Sequence, residues 1–253
     1  MSQPILFNAL LLSWFALAVV TFIALLFVAA PYGRHTRQGW GPGIESRLGW
    51  MVMEAPAVLL FALLFATGEY RETRGAWVFL GLWEAHYVHR AFVYPFRLRG
   101  TSKRMPLVVV GMAFVFNVVN GYFNGRYLFT LSGGYPAGWL AEPRFIAGLA
   151  LFLAGYVINR QADCTLRRLR QPGESGYVIP QGGLYRWISC PNYLGEIVEW
   201  MGWALATWSL AGLAFAVWTV ANLAPRARAH HRWYRERFVD YPPERKALLP
   251  GLW

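Results

Sequence analysis

Glu54, Tyr87 and the arginines between Arg160 and Arg170 are the side chains whose type and setting point to chemistry. Glu54 lies in WMVMEAPAVLLF, where apolar neighbours surround the carboxyl and Pro56 interrupts the backbone ladder beside it. A carboxyl placed so needs a partner, and a buried neutral one donates a hydrogen bond to a carbonyl or holds a tyrosine hydroxyl. The structural alternative is a Glu at a membrane boundary that snorkels to water. In WEAHYVHRAFVYPF, Tyr87, Arg90 and Tyr94 recur at i, i+3 and i+7 and so share a helical face, with Glu84 and His86 nearby. A phenol beside a carboxyl polarises a substrate oxygen as a general acid does in a water-poor site; an aromatic belt with a snorkelling arginine is the alternative.

Arg160, Arg167, Arg168 and Arg170 recur at near-helical spacing and suit phosphates, while Glu196 and Glu199 sit in a segment otherwise fit for lipid. Asn117, Asn120 and Asn124 form a stripe that reads as interhelical glue, with Phe114 one turn before it on the same face. No metal site is expected: the chain has 5 His, too few for the ligand set of a membrane di-iron centre even with His86, His89, His230 and His231 counted together. Cys164 and Cys190 show no CxxC spacing, so neither a disulfide framework nor a zinc site is supported. The glycines of GWGPG and PQGGLY lack the strand and helix of a Rossmann fingerprint. A dinucleotide would have to be held by arginines in the loops, helped by Asn and Tyr.

The elements that must position these groups are membrane helices. Of the 253 residues 56% are hydrophobic and only 15% charged, against about a quarter charged in a soluble domain. Met1 to Ala30 carries no charge and is long enough to cross a bilayer, too long for the apolar core of a signal peptide. Further apolar runs cover residues 48–67, 76–96, 106–123, 145–158 and 193–223, the last with a break near Ser209 to Gly212. Basic segments follow the first, third and fifth runs and form the tail, which places them on the cytoplasmic side. The expectation is an all-α polytopic membrane protein of seven transmembrane helices, N-terminus outside and C-terminus cytoplasmic. It forms a single domain over 1–253, with 1–144 activating the substrate and 145–253 holding most cofactor contacts. The net charge of +11 follows from this topology, so no nucleic-acid partner is expected.

The C-terminal run RQPGESGYVIPQGGLYRWISCPNYLGEIVEWMGWALATWSLAGLAFA, followed by RARAHHRWYRERFVDYPPERKALLPGLW, closely resembles the C-terminal half of the steroid 5α-reductases. Sparser similarity upstream includes PYGRHT from Pro31, MEAPA from Met53 and HYVHRAFVYPF from His86. The resemblance implies NADPH-dependent reduction of the Δ4 double bond of a 3-oxosteroid inside a seven-helix bundle. Glu54 and Tyr87 would engage the C3 carbonyl. Cofactor contacts would fall on Gly33, Arg34, His35, Arg90, Tyr94, Arg99, Asn159, Asp163, Arg167, Arg170, Tyr177, Asn192, Glu196, Arg226, His230 and Tyr234. Met53 stands where the family usually has Gln, and Trp50, Met53, Phe114 and Trp218 are expected to line the substrate. The similarity also suggests a bacterial homologue, hence a multi-pass protein of a bacterial inner membrane, monomeric and surrounded by lipid. Hydride would reach C5 while Tyr87, supported by Glu54, polarises the carbonyl.

Three other readings compete. SCPNYLGEIVEWMGWAL also fits the looser pattern of isoprenylcysteine methyltransferase-like membrane proteins, which use S-adenosylmethionine. An enoyl-lipid or polyprenol reductase would share the cofactor motifs, and a sterol or lipid transport protein would use Glu54 and the Asn stripe only to line a passage, although no inverted repeat is visible.

Overall fold

The computed structural model describes residues 3–29, 35, 39–97, 104–169 and 176–253. The described residues form eight α-helices: α1 (Gln3–Phe27), α2 (Ser46–Ala66), α3 (Arg74–Val88), α4 (Tyr94–Arg97), α5 (Leu107–Arg126), α6 (Pro143–Arg168), α7 (Pro191–Thr207) and α8 (Leu210–Arg237). One departure from an all-helical chain is a two-stranded antiparallel sheet, β1 (Gly43–Glu45) against β2 (Arg104–Pro106), which pairs Ile44 with Met105 and ties the start of α2 to the start of α5. Gly39 and Gly41 lead into it with φ of 91° and 76°, a left-handed turn that glycine adopts without strain.

Among the described residues five helices are long and apolar enough to cross a membrane: Gln3–Phe27, Ser46–Ala66, Leu107–Leu131, Pro143–Arg168 and Leu210–Arg237. Two of the seven expected spans fall short of that measure for different reasons. The rod from Arg74 to Arg97 carries Glu84, Arg90 and both terminal arginines, and α7 has 17 residues, which at about 1.5 Å each is shorter than a hydrocarbon core of about 30 Å. On α1 only Phe7, Leu11 and Ala18 are buried, so an all-apolar helix meets the bundle along one narrow stripe and leaves the rest for lipid.

Local chemistry explains the breaks between elements. Thr73 caps α3 by accepting from Ala76 N at 3.2 Å, and Ser209 caps α8 by accepting from Gly212 N at 2.9 Å. Between α7 and α8 the chain turns at Trp208, whose φ of 46° places a non-glycine residue in the left-handed region and ends α7 one residue before the cap. The third rod does not run as one α-helix. Pro95 lacks the N–H that would bond to Ala91 O, and the turn before it widens into a π-helix over His89–Val93, closed by Tyr94 N donating to His89 O.

Helices α6 and α7 approach most closely. Gly148 and Gly155 on α6 face Gly195 and Gly202 on α7. A Cβ on the first pair would run into the backbone of Ala206 and Glu199, and on the second into that of Asn159 and Phe152. The matched spacing of seven lets two backbones touch along a whole seam, which side chains with a Cβ would forbid. Elsewhere the core is aromatic: Phe61 stacks on Trp83 with centroids 4.4 Å apart, and Trp83 also meets Trp200 and Trp203 at 5.6 and 5.3 Å.

The tail folds back on the start of α7. Ser189 N donates to Lys246 O at 2.8 Å, Lys246 N to Trp187 O at 2.9 Å and Cys190 N to Ala247 O at 3.2 Å. Arg245 locks this arrangement by donating to Pro180 O and Gln181 Oε1 at 3.0 and 2.9 Å.

Candidate active site

Glu54 is buried on α2, and the structure supplies the partner that its setting demands. Its Oε1 accepts from Arg90 Nε at 3.0 Å and its Oε2 from Asn117 Nδ2 at 3.2 Å. Pro56 removes the N–H that would bond to Val52 O, and the adjoining Met53 carbonyl accepts from the same Asn117 amide at 2.7 Å. Both carboxyl oxygens therefore act as acceptors for N–H donors, the role of a carboxylate. This revises the expectation of a neutral, donating Glu54. The Asn stripe does more than glue helices, because Asn117 joins the carboxylate directly.

Arg90 continues the chain of charge. Its guanidinium lies 5.0 Å from the Trp50 ring centre, and its Nη1 is 3.8 Å from Glu196 Oε2 on α7. Tyr94 packs edge-on against the same Trp50 at 5.4 Å. Tyr87 turns elsewhere: it is 3% exposed and boxed by Trp83 at 4.8 Å, His86 at 5.0 Å, Trp200 at 5.7 Å and Phe215 at 6.5 Å. The π-turn separates these two directions on one rod, so Arg90 and Tyr94 face Trp50 while Tyr87 enters the aromatic core. Glu54 and Arg90 still lie within electrostatic reach of the Tyr87 hydroxyl, and the Asn120 side chain of α5 interacts with it as a hydrogen-bond donor.

On the far side of Glu196 the polar groups belong to α6 and α7. Asn159 Nδ2 donates to Asn192 O at 3.0 Å, and Asn192 Nδ2 reaches Asp163 Oδ1 at 3.5 Å. The glycine seam makes this reach short, since it brings the ends of both helices together. Beyond Asp163 the charge turns positive. Arg160 Nη1 meets His89 Nδ1 at 2.9 Å, and buried Arg167 Nη1 and His89 Nε2 find no hydrogen-bond partner among the described residues. Two guanidinium groups, one with a buried donor that lacks an acceptor, next to one carboxylate, are a donor set suited to phosphate groups and to the hydroxyls of a nucleotide.

A third cluster lies around the end of α8. Arg226 donates to the Tyr193 hydroxyl at 3.2 Å, His230 packs 5.4 Å from the Tyr193 ring, and His35 lies 5.2 Å from His230. Tyr177 meets Trp233 at 4.9 Å, and Tyr234 stacks on Tyr241 at 5.3 Å in the buried tail. Burial pushes the Tyr241 phenol above its ordinary value, while hydrogen bonds with Ser189 and Arg245 act the other way. Gly33, Arg34, Arg99 and Arg170 lie outside the described residues.

The expected substrate-lining residues part company. Trp50 lies under Arg90 and packs with Met53 against Met105, Val109 and Val110 near the small sheet, whereas the other two lie elsewhere. Trp218 is buried against Trp14 at 4.6 Å and donates its indole N–H to Trp14 O at 3.0 Å. Phe114 is 42% exposed and faces out of the bundle; Phe116, two residues on, packs instead against Phe215 at 6.4 Å. Sequence reasoning also passed over the pair His86 and Glu199, whose side chains meet at 2.7 Å with Glu199 fully buried. The signal was present in two ionisable residues among tryptophans, but nothing local joins positions on α3 and α7. No cluster of metal-ligating side chains occurs among the described residues.

Residues 103–253 match the family model described as 3-oxo-5-alpha-steroid 4-dehydrogenase. The chain is 43% identical to a steroid 5-alpha-reductase of Gossypium hirsutum, with 100% of this chain and 99% of the relative aligned. It is 44% identical to the 3-oxo-5-alpha-steroid 4-dehydrogenase 1 of Bos taurus, again over 100% and 99%. A steroid 5-alpha-reductase of Arabidopsis thaliana is 41% identical over 92% of this chain and 91% of its own. These relatives are plant and mammalian, so the comparisons give no support to the bacterial source and bacterial inner membrane expected from the sequence.

Proposed function

The chain belongs to the 3-oxo-5-alpha-steroid 4-dehydrogenase family, and from that premise we propose that it is an integral membrane reductase that uses NADPH to saturate the Δ4 double bond of a 3-oxosteroid. The observation that carries the site assignment is the meeting of Glu54, Arg90 and Asn117 beside a tyrosine sealed in an aromatic box.

NADPH, when bound, would supply the hydride that goes to C5 of the enone, and uptake of a proton at C4 completes the saturation. Arg160, Arg167 and Arg170, with Asn159, Asp163, Asn192 and Glu196, are the residues that would hold it. The unpartnered Arg167 Nη1 supports that fit. Tyr87 donates to the C3 carbonyl oxygen, where negative charge gathers as the double bond is reduced. Trp83, Trp200 and Phe215 keep water from the phenol, which strengthens that hydrogen bond. Glu54 holds Arg90 and Asn117 in place, and the Arg90 charge offsets that of the carboxylate near the developing anion. Positioning of the flat enone contributes much of the remaining acceleration.

In this reading the rod Arg74 to Arg97 and α7 also cross the bilayer, giving seven spans with the N-terminus outside and the basic tail cytoplasmic. Residues 1–144 activate the substrate, and 145–253 bind most of the cofactor. The protein acts as a monomer within lipid. Incubation of the purified protein with NADPH and a panel of Δ4-3-oxosteroids and linear enones, followed by mass spectrometry, tests reaction and substrate together. A saturated steroid two mass units heavier is expected; reduction of linear enones alone would remove the steroid assignment.

A further inference from the structure

A line of buried polar groups crosses the bundle behind Tyr87. Trp203 Nε1 on α7 donates to Asn124 Oδ1 at 2.9 Å. Asn124 Nδ2 donates to Asn120 Oδ1 at 3.2 Å, and to Asn120 O at 3.1 Å. Trp203 is 0% exposed, and both asparagines are 1% exposed. The direction of the line is set by chemistry, because an indole N–H can only donate. Asn124 must turn its oxygen to Trp203 and its nitrogen to Asn120, which in turn leaves the Asn120 nitrogen at the free end. That nitrogen is fully buried and makes no well-formed hydrogen bond among the described residues; the acceptor within its reach is the Tyr87 hydroxyl, with which it interacts.

A buried amide N–H whose available acceptor is a phenol oxygen, and which is not yet in full hydrogen-bond geometry with it, is costly and calls for an explanation. We infer that Asn120 is a positioning residue that acts on the substrate through Tyr87, as the last donor of a one-way relay from Trp203 through Asn124. A phenol has one hydrogen to give and two lone pairs. When Tyr87 gives its hydrogen to a carbonyl, its oxygen becomes more negative and accepts from Asn120 Nδ2. Because each amide in the line is already polarised by the one behind it, the last donor is stronger than an isolated amide. Water could not do this work, since the aromatic box around Tyr87 excludes it.

The inference rests on Tyr87 being the carbonyl donor, and a double-mutant cycle separates the two ideas. Full-length purified protein is assayed with NADPH and progesterone as a Δ4-3-oxosteroid, comparing Asn120→Leu, Tyr87→Phe and the double variant. Asn120→Leu should lower kcat by roughly ten- to a hundredfold, with KM and NADPH affinity within about twofold of the starting protein. In the Tyr87→Phe background the same change should cost nothing further. An equal fold loss in both backgrounds would show that Asn120 meets the substrate directly or acts only on packing, and would overturn the relay while leaving Tyr87 in its role. Unimpaired kcat in Tyr87→Phe would remove the carbonyl-donor reading and the relay with it. Asn120→Ala carries the same test where the Leu variant does not accumulate. If Tyr87→Phe turns over too slowly to compare, Asn124→Leu decides: it touches neither Tyr87 nor substrate, and its kcat should fall at unchanged KM, whereas unchanged kcat overturns the relay.

Discussion

At Glu54 each carboxylate oxygen meets a donor, Arg90 Nε at 3.0 Å and Asn117 Nδ2 at 3.2 Å, whereas at Arg167 a buried Nη1 meets no acceptor at all. Both groups are ionisable and both sit within the helical bundle. The first belongs to α2, the π-turn His89–Val93 and α5, where ion pair, amide and aromatic walls leave the carboxylate fixed before any ligand arrives. The second belongs to the end of α6, where Arg160 and Arg167 gather like charge and a neutral His89 accepts from Arg160. Burying like charges together is unfavourable unless an anion joins them. The two regions thus show two arrangements of buried charge: one is a geometry already set among protein groups, the other holds a donor still without an acceptor, which the proposed function assigns to the cofactor.

The comparison is broken most directly at Tyr87. Tyr87→Phe should lower kcat by roughly 10² to 10³ with cofactor affinity unchanged, as expected for loss of one donor to a developing oxyanion; steady-state turnover beside a fluorescence titration of NADPH measures both. Normal turnover would show that the preorganised region does no chemistry. Glu54→Gln should follow with a loss of about ten- to a hundredfold in kcat, because Arg90 then has no full charge to hold it. A variant that keeps its rate would mean that Arg90 is held well enough by Trp50 and Glu196.

The second region is sharpened by Arg167→Ala, which should weaken NADPH binding by roughly tenfold and leave kcat at saturating cofactor nearly unchanged. Arg170→Ala should act in the same direction, and unaltered affinity in both would reduce these arginines to topology signals. The smallest effect is expected at Phe114. Since its ring faces out of the bundle, Phe114→Ala should change KM for a 3-oxosteroid by less than about twofold, and a larger rise would place the substrate path on the outer face of α5.

Much of the fold can be read along the chain. The break between α7 and α8 was visible at Ser209 to Gly212, because a capping Ser followed by small residues is a local signal, and Ser209 Oγ does accept from Gly212 N. The need of Glu54 for a partner was visible too. What could not be read was the partner's identity. Arg90 and Asn117 lie 36 and 63 positions away, and equally plausible donors stood nearer. The shared face of Tyr87, Arg90 and Tyr94 assumed 3.6 residues per turn throughout, and Pro95 breaks that assumption by widening the turn at His89–Val93. Phe114 was assigned inward from its spacing to Asn117, yet in an apolar helix both faces look alike to such a count. The strands at Gly43 and Arg104 were missed because three residues with one long-range partner leave no periodicity to detect.

The amino-acid sequence by itself determined that this chain belongs in a membrane, roughly which segments are helices, and which few ionisable groups need an explanation. Hydrophobicity, capping and proline chemistry act over a handful of neighbours, so they are written locally. Only the tertiary structure decided that Glu54 joins Arg90 and Asn117, that Glu199 joins His86, and that the amides of Asn120 and Asn124 all point from Trp203 toward Tyr87. Those outcomes depend on how closely separate helices approach, and that distance is set by glycines such as Gly155 and Gly195 meeting backbone across the α6–α7 seam.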